Sequence, residues 1–355
     1  MSDGEPLPFE APPGYDAQPW PPVIGEARFR VRPEDFRVAE VLGFEASGDG
    51  PHRLLRVEKR GCNTGWVADL LARQLGVRAA DVGYSGLKDR NAVTEQWFSV
   101  PAGGPGRLDP AALAAAGVAV LADHPHGRKL RRGVHRANEF RLVLRDVRGD
   151  RSAIDDRLAA IGREGVPNAF GPQRFGRGGR NLELAQALAQ GRRLRRRDRG
   201  FALSAARSLI FNAVLARRVA DGSWQRLVPG DRAGLAGSRS HFAVEDIDAA
   251  LLQRLAEHDV HPTGPLWGRG ALPGTGVPAE LERAVGRSLA PLDSVLEQAG
   301  LSQERRALRL SVDGLTWDWQ SHALALGFTL VAGGFATAVL GALAGSRPEV
   351  ADSSG

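Results

Sequence analysis

A chain of 355 residues, 43% hydrophobic and 25% charged, can bury sizeable cores, and its length leads us to expect two domains, not a disordered or fibrous protein. The net charge is +6 and the pI about 10.3, because Lys59, Lys88 and Lys129 are the only lysines among 47 basic residues and the rest are arginine. Cys62 is the only cysteine, which excludes an intrachain disulfide and a thiolate metal cluster. The pairs His124/His126 and His258/His261 have no carboxylate pattern that completes a site, so no metal site is expected.

Residues 1–24 carry seven prolines and little apolar periodicity, and read as a disordered or extended tail. The start, Met1-Ser2-Asp3-Gly4-Glu5, is acidic and has no apolar core, so no secretory signal is read and a cytoplasmic location is expected. Two short strands are expected between Glu26 and Val41, broken at Pro33, and a third from Arg53 to Lys59. Thr64 reads as the cap of a helix with Val67, Leu70, Leu71 and Leu75 on one face, ending before Gly76. Val82 to Leu87 runs into a polar turn, and a strand leaves it from Glu95 to Val100. Gly103 to Pro110 is a loop. From Asn138 to Val147 the alternation is strict, with Phe140, Leu142 and Leu144 on one face and Arg141, Val143 and Arg145 on the other.

The character changes after Asp150. Residues 151–165, 181–190 and 203–220 read as helices, the last with a stripe of Ile210, Phe211, Val214, Leu215 and Val219. Helices and glycine-rich loops are expected to about residue 305, and strand periodicity returns from Leu308. Ala323 to Ser346 is uncharged and long enough to cross a bilayer. Five glycines interrupt it, however, so it reads as a strand (Ala323 to Val331), a Gly333-Gly334 turn and a buried helix from Phe335 to Ala344. A middle segment of different character between strand-rich ends implies a domain inserted into a discontinuous α+β domain.

Codon bias accounts for abundant arginine but not for its clustering. Arg128, Lys129, Arg131 and Arg132 fall within five positions, and Arg192, Arg193, Arg195, Arg196, Arg197 and Arg199 within eight. Such runs are solvated faces or phosphate contacts. Two further stretches bear on chemistry. In Gly83 to Trp97 a strand enters a turn that sets Asp89 between Lys88 and Arg90. That is a plain turn aspartate, or a nucleophilic carboxylate that neighbouring positive charge keeps ionised. In Asn168 to Arg180, Phe170 and Phe175 interleave with Arg174, Arg177, Arg180 and four glycines. This suits a loop that meets phosphates and stacks on bases, or one that packs its aromatics into a core. Its spacing is not that of a nucleotide phosphate-binding loop.

Together these segments resemble a known family. Gly86-Leu87-Lys88-Asp89-Arg90-Asn91-Ala92-Val93-Thr94 resembles the G-x-K-D-x-x-A-x-T signature of the TruD pseudouridine synthases. Arg32 to Glu40 resembles their P-E-D-F-x-V-x-E segment. Gly61-Cys62-Asn63-Thr64, Asn138-Glu139-Phe140, Gly171 to Gly176 and Ala332 to Thr337 also match in order. The resemblance runs from about residue 25 to 345.

It implies an α+β fold: a pseudouridine synthase catalytic domain with a mixed or antiparallel sheet over 25–155 and 306–346, and an inserted α/β TRUD domain over 156–305. Tails fall at 1–24 and 347–355, and the molecule is expected to be V-shaped around an RNA-binding cleft. Asp89 is implied as the catalytic carboxylate and Lys88 as its motif neighbour. Arg30 is implied as the basic residue pairing with that aspartate, here arginine where the family has lysine. Phe140 matches an active-site phenylalanine, standing where other pseudouridine synthases carry tyrosine, and Asn138 and Phe335 match pocket residues. Val331 departs from a usual proline and Gly334 from a usual serine, which leaves the course of that loop open.

The implied reaction isomerises a uridine of tRNA, at position thirteen by resemblance, without cofactor or metal. The carboxylate could add to uracil C6, attack ribose C1′ or abstract a ribose proton. Arg128, Lys129, Arg131, Arg132, Arg174, Arg177, Arg180, Arg192 and Arg193 are the expected RNA contacts, and a monomer without membrane attachment is expected. A non-catalytic RNA-binding or RNA-folding protein is the alternative. A glycoside hydrolase would need a second carboxylate, and only Glu95 and Glu40 are near in sequence, neither with a supporting pattern.

Overall fold

The strand Ala137–Arg148 lies in the interior of the sheet that carries the site, and its alternation is the one expected: Phe140, Leu142 and Leu144 are buried while Glu139 and Arg141 are exposed. The computed structural model describes residues 18–345, so the tail assignments for 1–17 and 347–355 lie outside the described residues. The chain divides into two compact units. The first holds 23–162 and 312–333, and the second 163–311 with 334–345 and the described residues before Val23.

In the first unit a nine-stranded mixed sheet runs in the order 313–320, 323–331, 137–148, 36–41, 93–101, 52–60, 118–126. The strand Glu26–Phe29 pairs with 137–148, and Gly83–Tyr84 with 93–101. Only 36–41 against 93–101 is parallel. Parallel neighbours need a crossover, and here the crossover contains the strand His52–Arg60 and the helix Thr64–Leu75. That helix buries Val67, Ala68, Leu71 and Leu75 against Leu55, Val57, Phe98 and Val100. It ends at Gly76, whose φ of 65° is the left-handed conformation glycine adopts at little cost. Its first turn differs from expectation. Asn63 occupies the N-cap and Thr64 is the first helical residue, its hydroxyl spent elsewhere. The helix Arg151–Glu164 begins in the same unit, where Asp155 Oδ1 accepts from the indole nitrogens of Trp317 and Trp319 at 2.9 and 2.8 Å. Ile24, expected in the tail, is 1% exposed, because apolar burial outweighs the proline-rich composition around it.

In the second unit the helix Arg196–Ala220 supplies the core through Leu209, Ile210, Phe211, Val214 and Leu215, with Trp224 and Trp267. It begins seven residues before the expected start at 203 and takes up the arginine run 196–199. A four-stranded antiparallel sheet, in the order 241–243, 232–235, 260–266, 304–307, lies where only helices and loops were expected. Gly234, Pro262, Gly264 and Pro265 break the alternation that marks a strand. Trp20 packs edge-on against Trp224 at 6.0 Å, so the described end of the proline-rich segment is ordered by an aromatic contact. The uncharged stretch resolves into the strand Ala323–Val331 and the helix Ala336–Ala344, as read, and the part after Gly334 belongs to the second unit. Among the described residues no helix is long and apolar enough to cross a membrane.

Candidate active site

Arg30 follows the first strand with φ +58°, a conformation that costs a non-glycine residue about 1–3 kcal/mol. The turn behind it is held by the buried carboxylate of Asp35, which accepts from the Arg32 amide at 3.0 Å and from Arg145 through Nε at 2.9 Å and Nη2 at 2.7 Å. The Arg30 guanidinium lies 4.0 Å over the Phe36 ring and 5.0 Å from Phe29. Phe36 meets Phe140 edge-on at 6.1 Å, and Phe140 stacks on Phe328 at 5.3 Å. Phe140 is therefore one link of an aromatic row beneath Arg30 and is 7% exposed. From this platform Arg30 Nη1 reaches Asp89 Oδ2 at 2.7 Å, with both side chains one-quarter exposed. Burial lowers the Arg30 pKa and Asp89 opposes the shift; a guanidinium stays charged in such surroundings.

Five hydrogen bonds fix the turn that carries Asp89. Gln96 Nε2 donates to Gly86 O at 2.6 Å, and the Lys88 amide donates to Thr64 Oγ1 at 3.0 Å. Thr64 in turn donates to Gln96 Oε1 at 3.0 Å. Lys59 Nζ donates to Asp89 O at 3.0 Å, and the Asn91 amide donates to Asp89 Oδ1 at 3.0 Å. Lys59 also donates to Cys62 O at 2.8 Å and is 0% exposed; burial lowers its pKa to about 8. At Gly83, where the chain enters the turn, a Cβ would stand 2.5 Å from Ser99 Oγ and 2.6 Å from Leu130 O.

The cations flanking Asp89 do not bracket its carboxylate as the sequence suggested. Arg90 donates to Gly61 O at 3.2 Å. Lys88 Nζ lies 3.0 Å from Glu40 Oε1, without the alignment of a hydrogen bond, and both side chains are nearly inaccessible. Glu40 Oε2 accepts from the Trp97 amide at 3.0 Å, so this glutamate is engaged as a buried counter-ion. His135 Nδ1 stands 4.0 Å from Glu40 Oε1, and its Nε2 is 3.4 Å from Asn138 Nδ2. Burial lowers the His135 pKa, Lys88 lowers it further and Glu40 opposes, so the ring is neutral at neutral pH.

Arg30 Nε, Glu40 Oε1, Ser85 Oγ, Thr94 Oγ1, His135 Nδ1 and Asn138 Oδ1 are buried without a hydrogen-bond partner, six of nine such side-chain atoms among the described residues. A buried group left without a hydrogen bond costs about 1–3 kcal/mol, which Glu40 Oε1 offsets through its ion pair with Lys88. Sequence reading missed Lys59, Glu40, His135, Thr64 and Gln96 as members of this network. One signal was available: two of only three lysines in an arginine-rich chain belong to it.

The other expected residues are dispersed. Arg128, Lys129, Arg131 and Arg132 are exposed in the first unit; Lys129 Nζ donates to Ala80 O, and Arg132 lies 3.8 Å over the Tyr84 ring. Arg177, Arg180, Arg192 and Arg193 are exposed in the second unit. Arg174 in that unit is half-buried, donating to Ser204 Oγ at 3.0 Å and lying 4.9 Å from the Phe170 ring. Phe335 belongs to the second unit, 6.3 Å from Phe170.

The family model described as tRNA pseudouridine synthase D (TruD) matches residues 24–196 and 183–342. Among similar proteins, tRNA pseudouridine synthase D of Nitrosococcus oceani is 48% identical over 326 residues, 90% of each chain. That of Methylococcus capsulatus is 46% identical over 342 residues, covering 95% of this chain and 97% of its own. The crystal structure of a Methanosarcina mazei protein described as a putative TruD superposes with a TM-score of 0.73 at 20% identity, covering 94% of this chain and 97% of the other. The α+β architecture with its mixed sheet is thus the architecture of that structure, and the chain belongs to the TruD family of tRNA pseudouridine synthases.

Proposed function

We propose that this protein converts a uridine of tRNA to pseudouridine with Asp89 as the catalytic carboxylate. Family membership supports the reaction, and the 2.7 Å pair between Arg30 and Asp89 supports the residue. The reaction breaks the bond from ribose C1′ to uracil N1, turns the detached base and joins C1′ to C5; the C5 proton is lost and N1 gains one. It is redox-neutral. Adding to C6, attacking C1′ and abstracting a ribose proton all require an acidic side chain in fixed register with the nucleotide. Arg30 supplies that register and offsets charge as the carboxylate is consumed and regenerated. Lys88, next to Asp89 in the turn, pairs with Glu40, and Phe140 belongs to the aromatic row under Arg30.

The finer reading places the target at position thirteen of tRNA, names 25–155 with 306–346 the catalytic domain and 156–305 the TRUD domain, and assigns the exposed arginines to phosphates. Phe335 is read as a further pocket residue, and the working form as a cytoplasmic monomer. The deciding experiment measures tritium release from C5-labelled uridine in tRNA. Asp89→Asn should abolish release while binding stays within about threefold; undiminished release would sink the assignment.

A further inference from the structure

Leu87 is the most exposed large apolar side chain among the described residues, at 74%. A single exposed leucine is ordinary on a protein surface; what marks this one is its place in the turn that carries Asp89. Its backbone is rigid. The preceding carbonyl, Gly86 O, is bonded by Gln96, and the following amide, of Lys88, is bonded to Thr64; Gln96 and Thr64 are themselves buried. The leucine stands two residues before Asp89, a separation of at most about 7 Å along the backbone. The Gly133 amide donates to Ser85 O at 2.7 Å, which ties the loop bearing the exposed Arg131 and Arg132 to the same turn. An apolar tip flanked by exposed guanidinium groups fits a nucleic acid, with a stack of bases beside a line of phosphates, better than an apolar protein surface.

Chemistry at C1′ of a stacked uridine requires the nucleotide to leave its stack, and the gap closes again unless something fills it. We propose that Leu87 enters the RNA stack at the place vacated by the target uridine and holds that uridine extruded at Asp89. This rests on the reading of Asp89 given above and assigns a separate step, extrusion, to a residue that carries no chemistry. The side chain is flexible enough to slide between bases, while the pinned backbone fixes its depth relative to the carboxylate.

The test separates extrusion from catalysis. A tRNA carrying 2-aminopurine next to the target uridine is mixed with Asp89→Asn protein at saturation, and fluorescence reports unstacking without turnover. The expected rise falls at least about fivefold in the Asp89→Asn/Leu87→Ala double variant, with RNA binding checked by filter retention. In the otherwise native chain, Leu87→Ala lowers the single-turnover rate on folded tRNA by about tenfold or more, and Leu87→Met keeps it within about threefold. Thermal unfolding of Leu87→Ala should match the parent, since the side chain lies in solvent. A rate within about twofold of the parent, or an undiminished fluorescence rise, would overturn the wedge. Turnover by Asp89→Asn alone would instead overturn the catalytic assignment, and the fluorescence comparison would still read extrusion.

Discussion

Arg30 meets Asp89 at 2.7 Å from a backbone held in the left-handed region, so the pair is set by the fold and not by the rotamers of two free side chains. Phe36 under the guanidinium adds a flat support that an ammonium uses less well. Arg30→Gln should lower kcat by about 10- to 100-fold with a smaller change in KM, because it removes a partner needed while the carboxylate is at work. Arg30→Lys should retain part of the rate. Single-turnover pseudouridine formation checks both, and a parental rate for Arg30→Gln would remove Arg30 from the site.

Lys59 predicts an unusual alkaline response. Its pKa in the fold is about 8, against an ordinary value of 10.5. Between those two values the unfolded chain holds a proton that the native chain lacks, so this group makes stability rise with pH by about 1.4 kcal/mol per unit. Below pH 8 both states are protonated and the contribution is flat. Lys59→Met should abolish the rise. Denaturant unfolding of both proteins from pH 7.5 to 10 gives the difference directly; parallel curves would show that Lys59 is not desolvated as described.

Thr64 joins two parts of the turn through one hydroxyl, donating to Gln96 and accepting from the Lys88 amide. Thr64→Val keeps the shape and strands two buried partners, which should destabilise the protein by about 2–4 kcal/mol. Thr64→Ser should recover most of the loss. Chemical denaturation of the pair decides it, and an unaltered midpoint for Thr64→Val would contradict the bonding described.

Arg128 and Arg131 are exposed. If they contact phosphates, replacing both with alanine should reduce the slope of log affinity for tRNA against log salt by about 1–2, with little change in stability. An unchanged slope would place the RNA elsewhere.

The first-unit sheet was largely legible because its strands alternate in a period of two, most clearly in Ala137–Arg148 and Ala323–Val331. The four-stranded sheet of the second unit was not, since proline and glycine interrupt its two central strands, Arg232–Leu235 and Val260–Leu266, and its pairings reach as far as Thr263 with Ala307. The pairing of Arg30 with Asp89 was legible through family resemblance. Lys59, Glu40 and His135 were not, because each becomes informative only when its solvent exposure is known. Burial turns an ordinary strand lysine into a clamp on two carbonyls, and a strand glutamate into the counter-ion of Lys88. No local spacing encodes that.

The strand Ala137–Arg148 is completed on one side by Phe36–Val41 and on the other by Ala323–Val331, so one of its two edges is supplied by residues made almost two hundred positions later. During synthesis on the ribosome, this strand waits with that edge unpaired while residues 163–311 of the second unit emerge. An unpaired edge is a template for association with other chains. A premature stop near residue 311 would therefore yield aggregated polypeptide and not half an enzyme, whatever the intactness of Asp89 and Arg30.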